Sequence, residues 1–176
     1  MKQIQVIPPA GTSLSLQWRD KQCPQILRAP EFLPTATYQN TFKHRLFHAD
    51  SNLALVTLAQ QQPASIDLVY LDPPFASQAN YHQRVDKTSK ALQYSDYWDQ
   101  ETYLQFLYEI LILLRMLLSD QGSIYLHCDH RQSHRIRMIL DEVFGENRFI
   151  NHIVWSYKTG GVPERKGFSK KHDDIF

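Results

Sequence analysis

Asp72-Pro73-Pro74-Phe75 is the stretch of this chain whose residue types, in this order, could do chemistry. A carboxylate, the carbonyl of the next residue and an aromatic ring close behind make a pair of acceptors beside a stacking platform. Such a set suits an exocyclic amine on a purine or a cytosine. That nitrogen is a poor nucleophile, because its lone pair is delocalised into the ring. Acceptors aimed at its protons draw it toward tetrahedral geometry and stabilise the positive charge that grows as it attacks a sulfonium methyl. Asp72 and the Pro73 carbonyl are those acceptors. Pro73 and Pro74 fix their own φ angles and carry no N–H, so the turn is rigid and its carbonyls stay available. A base in a duplex must be flipped out to reach such a turn, and Phe75 is the ring on which it would stack. The same four residues can also be an ordinary strand-ending turn, so the flanking sequence decides.

Ile66-Asp67-Leu68-Val69-Tyr70-Leu71, mostly apolar and closed by the prolines, reads as a strand buried on both faces of a parallel sheet. Before it, Leu46-Phe47-His48 is a short strand candidate ending at Asp50, and Leu53 to Leu58 a brief helix. After it, Ala76 to Asp99 is polar and aromatic without a clear period, which predicts a long loop beside a functional site. Its Tyr81, Tyr94, Tyr97 and Trp98 could line a pocket for the base or pack the lid over it. Tyr103, Phe106, Leu107, Ile110, Leu111, Leu114, Leu117 and Leu118 recur at helical spacing. Asp120-Gln121-Gly122 is expected to stop that helix before a strand from Ser123 to Cys128. A helix over Asp129 to Phe144 sets Ile136, Ile139, Leu140 and Val143 on one face, with Arg131, Arg135 and Arg137 largely off it. Those arginines are a plain exposed face or a DNA contact. A third strand, Phe149 to Trp155, follows Gly145. Strands alternating with helices predict an α/β domain with a parallel sheet and right-handed crossovers, its ligands beyond the carboxyl ends of the strands, where Asp50, Asp72 and Asp129 fall. Residues 1–44, with Pro8, Pro9, Pro24, Pro30 and Pro34, read as an irregular leader or wrapping arm, and the domain proper as residues 45–176.

Leu68-Val69-Tyr70-Leu71-Asp72-Pro73-Pro74-Phe75 resembles the catalytic motif of the N4-cytosine and N6-adenine DNA methyltransferases. Leu46 to Leu53 is similar to the strand and acidic turn that precede it in that family. Trp98 with the helix to Leu118, then Gly122-Ser123-Ile124-Tyr125-Leu126-His127-Cys128-Asp129, resembles the next strand. Asn151 to Tyr157, and the tract from Gly160-Gly161 to Lys171-His172-Asp173, resemble the approach to target recognition. The likeness runs from about Arg45 to Phe176 and is strongest to the adenine-specific group of type III modification subunits and related orphan enzymes. It implies a Rossmann-like S-adenosylmethionine-dependent methyltransferase fold. It also implies S-adenosylmethionine as cofactor, Asp72, Pro73, Pro74 and Phe75 as catalytic residues, and Asp50 with Asp72 toward the cofactor. The implied partners are double-stranded DNA, a restriction subunit and a second copy of the chain. Asp rather than Ser at the head of the motif favours adenine N6, with N4-cytosine as the alternative. Protein-glutamine and ribosomal RNA methyltransferases usually carry Asn there. Enzymes with this motif order hold their cofactor with a Phe-x-Gly-x-Gly loop in the later half. That sequence does not occur among the six glycines here, and Asp173-Asp174-Ile175-Phe176 reads like the beginning of a strand. The expectation is therefore the N-terminal, catalytic half of such a fold, truncated at its C-terminal end, or an inactive nucleic-acid-binding remnant of one.

With 176 residues, 43% of them hydrophobic, the chain is long enough for one sizeable core. Its 19 basic and 18 acidic residues nearly cancel, so affinity for nucleic acid must come from local clustering. Lys158, Arg165, Lys166, Lys170 and Lys171, set against Glu164 alone, make such a cluster, with a solvated loop as the plain alternative. Cys23 and Cys128 are too few for a disulfide framework, and Met1-Lys2-Gln3-Ile4-Gln5 opens no long apolar region, so a reducing cytoplasm is expected. The apolar run from Tyr103 to Leu118 is short for a bilayer and carries Glu109 and Arg115, so a buried helix is expected and no membrane role. His127, Cys128, His130 and His134 raise the question of zinc, since His130 and His134 share a helical face. Methyl transfer needs no metal. Cys128 fits a sheet and the histidines a polar helix surface, so no metal site is expected.

Overall fold

The computed structural model describes residues 4–5, 15–26, 44–83, 92–157 and 171–176. In chain order these form β1 (Ile4–Gln5), β2 (Gln25–Ile26), α1 (Ser51–Gln61), β3 (Ile66–Leu71), β4 (Asn80–Gln83), β5 (Leu92–Ser95), α2 (Gln100–Leu117), β6 (Leu118–Asp129), α3 (Ser133–Phe144), a short 3-10 turn (Glu146–Arg148), β7 (Ile153–Ser156) and β8 (His172–Ile175). The result is a mixed α/β domain whose main sheet runs β3-β6-β8-β7. β3 and β6 are parallel, with Tyr70 beside Tyr125 and Leu71 beside Leu126. β8 runs antiparallel to both β6 and β7 and lies between them. The sheet is therefore not all-parallel. The strand foreseen at residues 149–155 pairs with the last segment of the chain and does not join β6 directly.

α2 is the centre of the core. Asp99 caps its first turn by accepting the Thr102 N–H at 3.2 Å, which holds the Asp99 carboxyl below its usual range. Tyr103, Leu107, Leu111 and Ile112 bury with Leu126 and Cys128 of β6 and Ile136, Ile139 and Val143 of α3. Ile110, Leu114 and Leu117 bury with Ala59 of α1 and reach Val69 and Leu71. These helices cover one face of the sheet. On the other face Leu68 is 63% and Tyr70 59% exposed, so β3 is not buried on both sides as its apolar run suggests. α2 passes straight into β6 without the expected stop at Asp120-Gln121-Gly122. The register slips there, the partner moving from Leu118 beside Ile66 to Ser123 beside Leu68. Gly122 sits inside this irregularity, and a Cβ on it would lie 2.7 Å from the Ile66 carbonyl oxygen.

Three further readings need correction. Residues 46–48 form no strand, and Leu46 is almost fully exposed, because no described strand lies beside them. The supposed loop from 76 to 99 contains the antiparallel hairpin β4–β5, in which Tyr81 is the register partner of Tyr94. α3 begins at Ser133, not Asp129, because the Asp129 carboxylate accepts the Arg131 N–H at 2.8 Å and holds a turn ahead of the helix. Gly145 ends α3 at φ +95, a conformation suited to glycine.

Residues 15–26 lie against this core. Leu16, Trp18 and Cys23 pack on it, and Trp18 Nε1 donates to Gln105 Oε1 at 3.2 Å. Lys21 Nζ lies 2.6 and 2.8 Å from the two carboxylate oxygens of Glu142 and donates to the Leu16 carbonyl at 2.7 Å. It also stands 4.5 Å from the Trp18 ring centre and 4.8 Å from that of Tyr108. Burial first, and the Glu142 charge second, push the Tyr108 hydroxyl up to about 12. Both members of the ion pair are largely hidden from solvent, with side-chain exposures of 11% and 9%. Removing one partner strands the other. Lys21→Met is therefore expected to lower unfolding stability by about 3 kcal/mol in urea denaturation, whereas an unchanged midpoint would mean that the pair is solvated and the arm loosely held.

Candidate active site

The site follows from one pairing. Because β3 and β6 are parallel neighbours, their carboxyl ends lie side by side, bringing Asp72, just past β3, next to His127 near the end of β6, two residues before Asp129. The two-residue period of a strand puts His127 and Asp129 on the same face. Pro73 is buried, Pro74 and Phe75 are half-buried, and the Asp72 side chain is 57% exposed. The turn thus anchors its prolines in the protein and leaves its carboxylate to solvent.

His127 is the residue around which the others gather. Its Nδ1 lies 3.5 Å from Asp72 Oδ1 and is hydrogen-bonded to the Tyr70 hydroxyl at 3.1 Å. Its Nε2 lies 3.3 Å from Asp173 Oδ2, but off the line a hydrogen bond requires. The Phe75 ring meets the imidazole edge-on, with centres 5.3 Å apart. A neighbouring pair, His152 Nε2 to Asp174 Oδ1 at 2.7 Å, ties the residue just ahead of β7 to β8. Asp173 and Asp174 come from the segment read as the beginning of a strand, and that segment is the strand β8.

Asp50 stands elsewhere in the chain's local order. It is the N-cap of α1, its Oδ1 accepting the N–H groups of Asn52 and Leu53 at 3.0 and 3.3 Å. Among the described residues no strand leads directly into it, so it does not sit at a described strand end as Asp72 and Asp129 do. Of the basic tract, Lys171 is half-buried and its carbonyl accepts the Tyr157 N–H at 3.2 Å. Lys158, Arg165, Lys166 and Lys170 lie outside the described residues. Trp98 packs on Tyr103 and Phe106 at ring-centre distances of 5.7 and 5.0 Å, which makes it part of the core, while Tyr97 is exposed. Arg131 is bound to the Ser77 carbonyl and Asp129, Arg135 to Gln132, and Arg137 to Asp141 with its guanidinium 3.4 Å over Phe149.

Sequence reasoning treated His127 only as a possible metal ligand and passed over Tyr70 as part of an apolar run. The signal was present in both cases. Tyr70 lies two residues before Asp72, and His127 two before Asp129, so the strand period alone points both toward the turn. Cys128, between them in sequence, faces the other way, into the core. Burial, with the charges of Asp174, Asp129 and Asp173 adding to it, pushes its thiol far above the usual range. Among the described residues no group of three His, Cys, Asp or Glu side chains is arranged to hold a metal ion, and no helix is long and apolar enough to cross a membrane.

The class is that of an α/β domain with an acidic, proline-closed turn at the carboxyl end of a parallel strand pair. Over residues 66–176 the chain matches the DNA methylase family, and it belongs to that family. Type II methyltransferase M.EcaI of Enterobacter cloacae is 30% identical over 177 residues, covering 96% of this chain and 38% of the relative. The probable type III restriction-modification enzyme HindVI Mod subunit of Haemophilus influenzae is 28% identical over 62% of this chain and 13% of its own length. DNA adenine methyltransferase YhdJ of Escherichia coli is 24% identical over 74% of this chain and 39% of its own. The chain thus spans well under half the length of each of these relatives.

The chemistry of the two cysteines follows from this geometry. Cys128 is expected to resist alkylation in the native protein at mildly alkaline pH, while half-buried Cys23 labels first; peptide mass spectrometry before and after unfolding checks this. Prompt native labelling of Cys128 would contradict the closed sheet behind the site.

Proposed function

We propose that the protein is a site-specific DNA methyltransferase that moves a methyl group from S-adenosylmethionine to the N6 amino group of adenine in double-stranded DNA. The observation that carries this reading is the exposed Asp72 carboxylate at the end of β3, with His127 beside it and the Phe75 ring against that imidazole. A Rossmann-like methyltransferase fold, of which this chain is the catalytic part with residues 1–44 as its arm, is the architecture that goes with it. The basic residues Lys158, Arg165, Lys166, Lys170 and Lys171 are the proposed phosphate contacts. A restriction subunit and a second copy of the chain are the proposed protein partners, in keeping with the Mod subunit among the relatives.

Asp72 accepts a hydrogen bond from one N–H of the target amine, and the Pro73 carbonyl accepts one from the other. Phe75 stacks on the base once it has left the duplex. Bound S-adenosylmethionine supplies an electrophilic sulfonium methyl. Positive charge on the methylated amine would be stabilised by these two acceptors, and Asp72 Oδ is the group placed to receive the proton that the amine sheds. His127, beside Asp72 and tied to Tyr70, limits where that carboxylate can point. The described residues are chemically suited to the donor at two points. Asp72 is solvent-facing, and both capping bonds of Asp50 fall on Oδ1, leaving Oδ2 outside them for a hydroxyl or an amine.

Adenine is favoured over cytosine by Asp at the head of the motif and by the adenine methyltransferase among the relatives. N4-cytosine methylation is the alternative, and product analysis separates the two. The test is methyl transfer to plasmid DNA by the protein expressed from its natural reading frame, followed by nucleoside mass spectrometry. N6-methyladenine is expected, and Asp72→Ala is expected to lower its rate of formation by at least about 100-fold. N4-methylcytosine as the product would replace the adenine reading. Full activity in Asp72→Ala would remove Asp72 from the chemistry, and DNA binding without any methyl transfer would favour the inactive remnant.

A further inference from the structure

The segment that follows Phe75 is wrapped around one buried carboxylate. Asp96, only 2% exposed, accepts the Ala76 N–H on Oδ1 at 3.2 Å and the Ser77 N–H on Oδ2 at 2.7 Å. The backbone continues the grip. Gln78 N–H donates to the Asp96 carbonyl at 3.1 Å, and Asp96 N–H donates to the Ala79 carbonyl at 2.9 Å. Gln78 Nε2 donates to the Trp98 carbonyl at 2.6 Å. Ala76 stands at φ +49 and Gln78 at φ +58, left-handed conformations that residues with a Cβ seldom adopt. A simple turn would place glycine at such points. Here two non-glycine residues hold these angles directly behind the acidic turn. Consecutive N–H groups in such a bend converge on an anion, and the Asp96 carboxylate is that anion. The Ser77 carbonyl is held in turn by Arg131, whose Nη1 donates to it at 2.9 Å while its Nε lies 3.1 Å from Asp129 Oδ2.

We propose that Asp96, backed by Arg131, is a positioning residue for methyl transfer, holding residues 76–78 in a strained bend that sets Phe75 and Asp72 for the flipped base. The inference rests on the functional reading above. Asp96 touches neither base nor cofactor in this account; it acts through the backbone of Ala76 and Ser77. The strain is stored next to the reacting group because a bend free to relax would let the Phe75 ring swing off His127. Asparagine at position 96 keeps one acceptor oxygen but presents N–H to one of the two converging donors.

The test compares wild type with Asp96→Asn and Arg131→Gln, all from the natural reading frame, by amide hydrogen exchange and by methyl-transfer kinetics. Asp96→Asn is expected to speed exchange of the peptide covering residues 72–79 by about tenfold or more. α2 should keep its protection, and S-adenosylmethionine should bind with unchanged stoichiometry and affinity. Turnover should fall about 10- to 100-fold. A merely structural role would instead lower cofactor stoichiometry in step with turnover. Unchanged exchange at 72–79 overturns the proposal, as does a loosened loop with full turnover. Should Asp96→Asn fail to fold, Arg131→Gln decides. Its side chain is partly exposed, and a smaller loosening of the same peptide upholds the proposal while none overturns it. If the wild type transfers no methyl group yet the loop loosens in both variants, the hold of Asp96 on the bend stands and the functional reading alone falls.

Discussion

The parallel pairing of β3 with β6 is the constraint on which everything else here depends. It sets Leu71 beside Leu126, and with that register it brings the residues just beyond each strand to one end of the sheet. Asp72 and His127, separated by 55 positions in sequence, thereby come to 3.5 Å. A hairpin could not have done this, because antiparallel neighbours place their carboxyl ends at opposite edges. The crossover between them has to be long, and α2 is the element that makes it. The burial of ten of its 18 residues is therefore part of how the site is built. It lies against Leu126 and Cys128 on one side and, with α1, against Val69 and Leu71, fixing the two strands relative to each other.

A second layer of order comes from charge. Lys21 closes over α2 and α3 through Glu142 and two aromatic rings. β8 brings Asp173 and Asp174 to two histidines, His127 on β6 and His152 just ahead of β7. Asp96 and Asp129 hold the loop and turn on either side of the site. In each case a carboxylate with little exposure is met by a basic side chain or by converging N–H groups, which is the condition under which burying it is tolerated. The exposed carboxylate in this group is Asp72, the one the proposed chemistry requires to meet a ligand.

The parts of this arrangement that the sequence announced are those with a local physical signature. β3 was legible to the residue, because an apolar run ended by two prolines has one reading. α2 was legible from its heavy period, and β8 from its final apolar pair. The acidic turn stood out because its residue types match a reaction. What was hidden is what depends on partners far away in the chain. The β4–β5 hairpin is made by polar, aromatic residues with no alternation to betray it. Leu46-Phe47-His48 has the composition of a strand and lacks a described neighbour to pair with. β8, inserted between β6 and β7, runs against both, where simple alternation of helix and strand would make every strand parallel. Asp96 looked like one more acid in a polar stretch, and only the fold shows that it sits inside the bend behind Phe75.

The measurement that bears most directly on the central claim is a structure of the natural-frame protein with its target duplex and a non-transferable analogue of S-adenosylmethionine. The account predicts an adenine turned out of the helix, its N6 within about 3 Å of Asp72 Oδ and of the Pro73 carbonyl oxygen, and its ring stacked on Phe75. A duplex bound with every base still paired, or a flipped base seated away from Asp72, would contradict it.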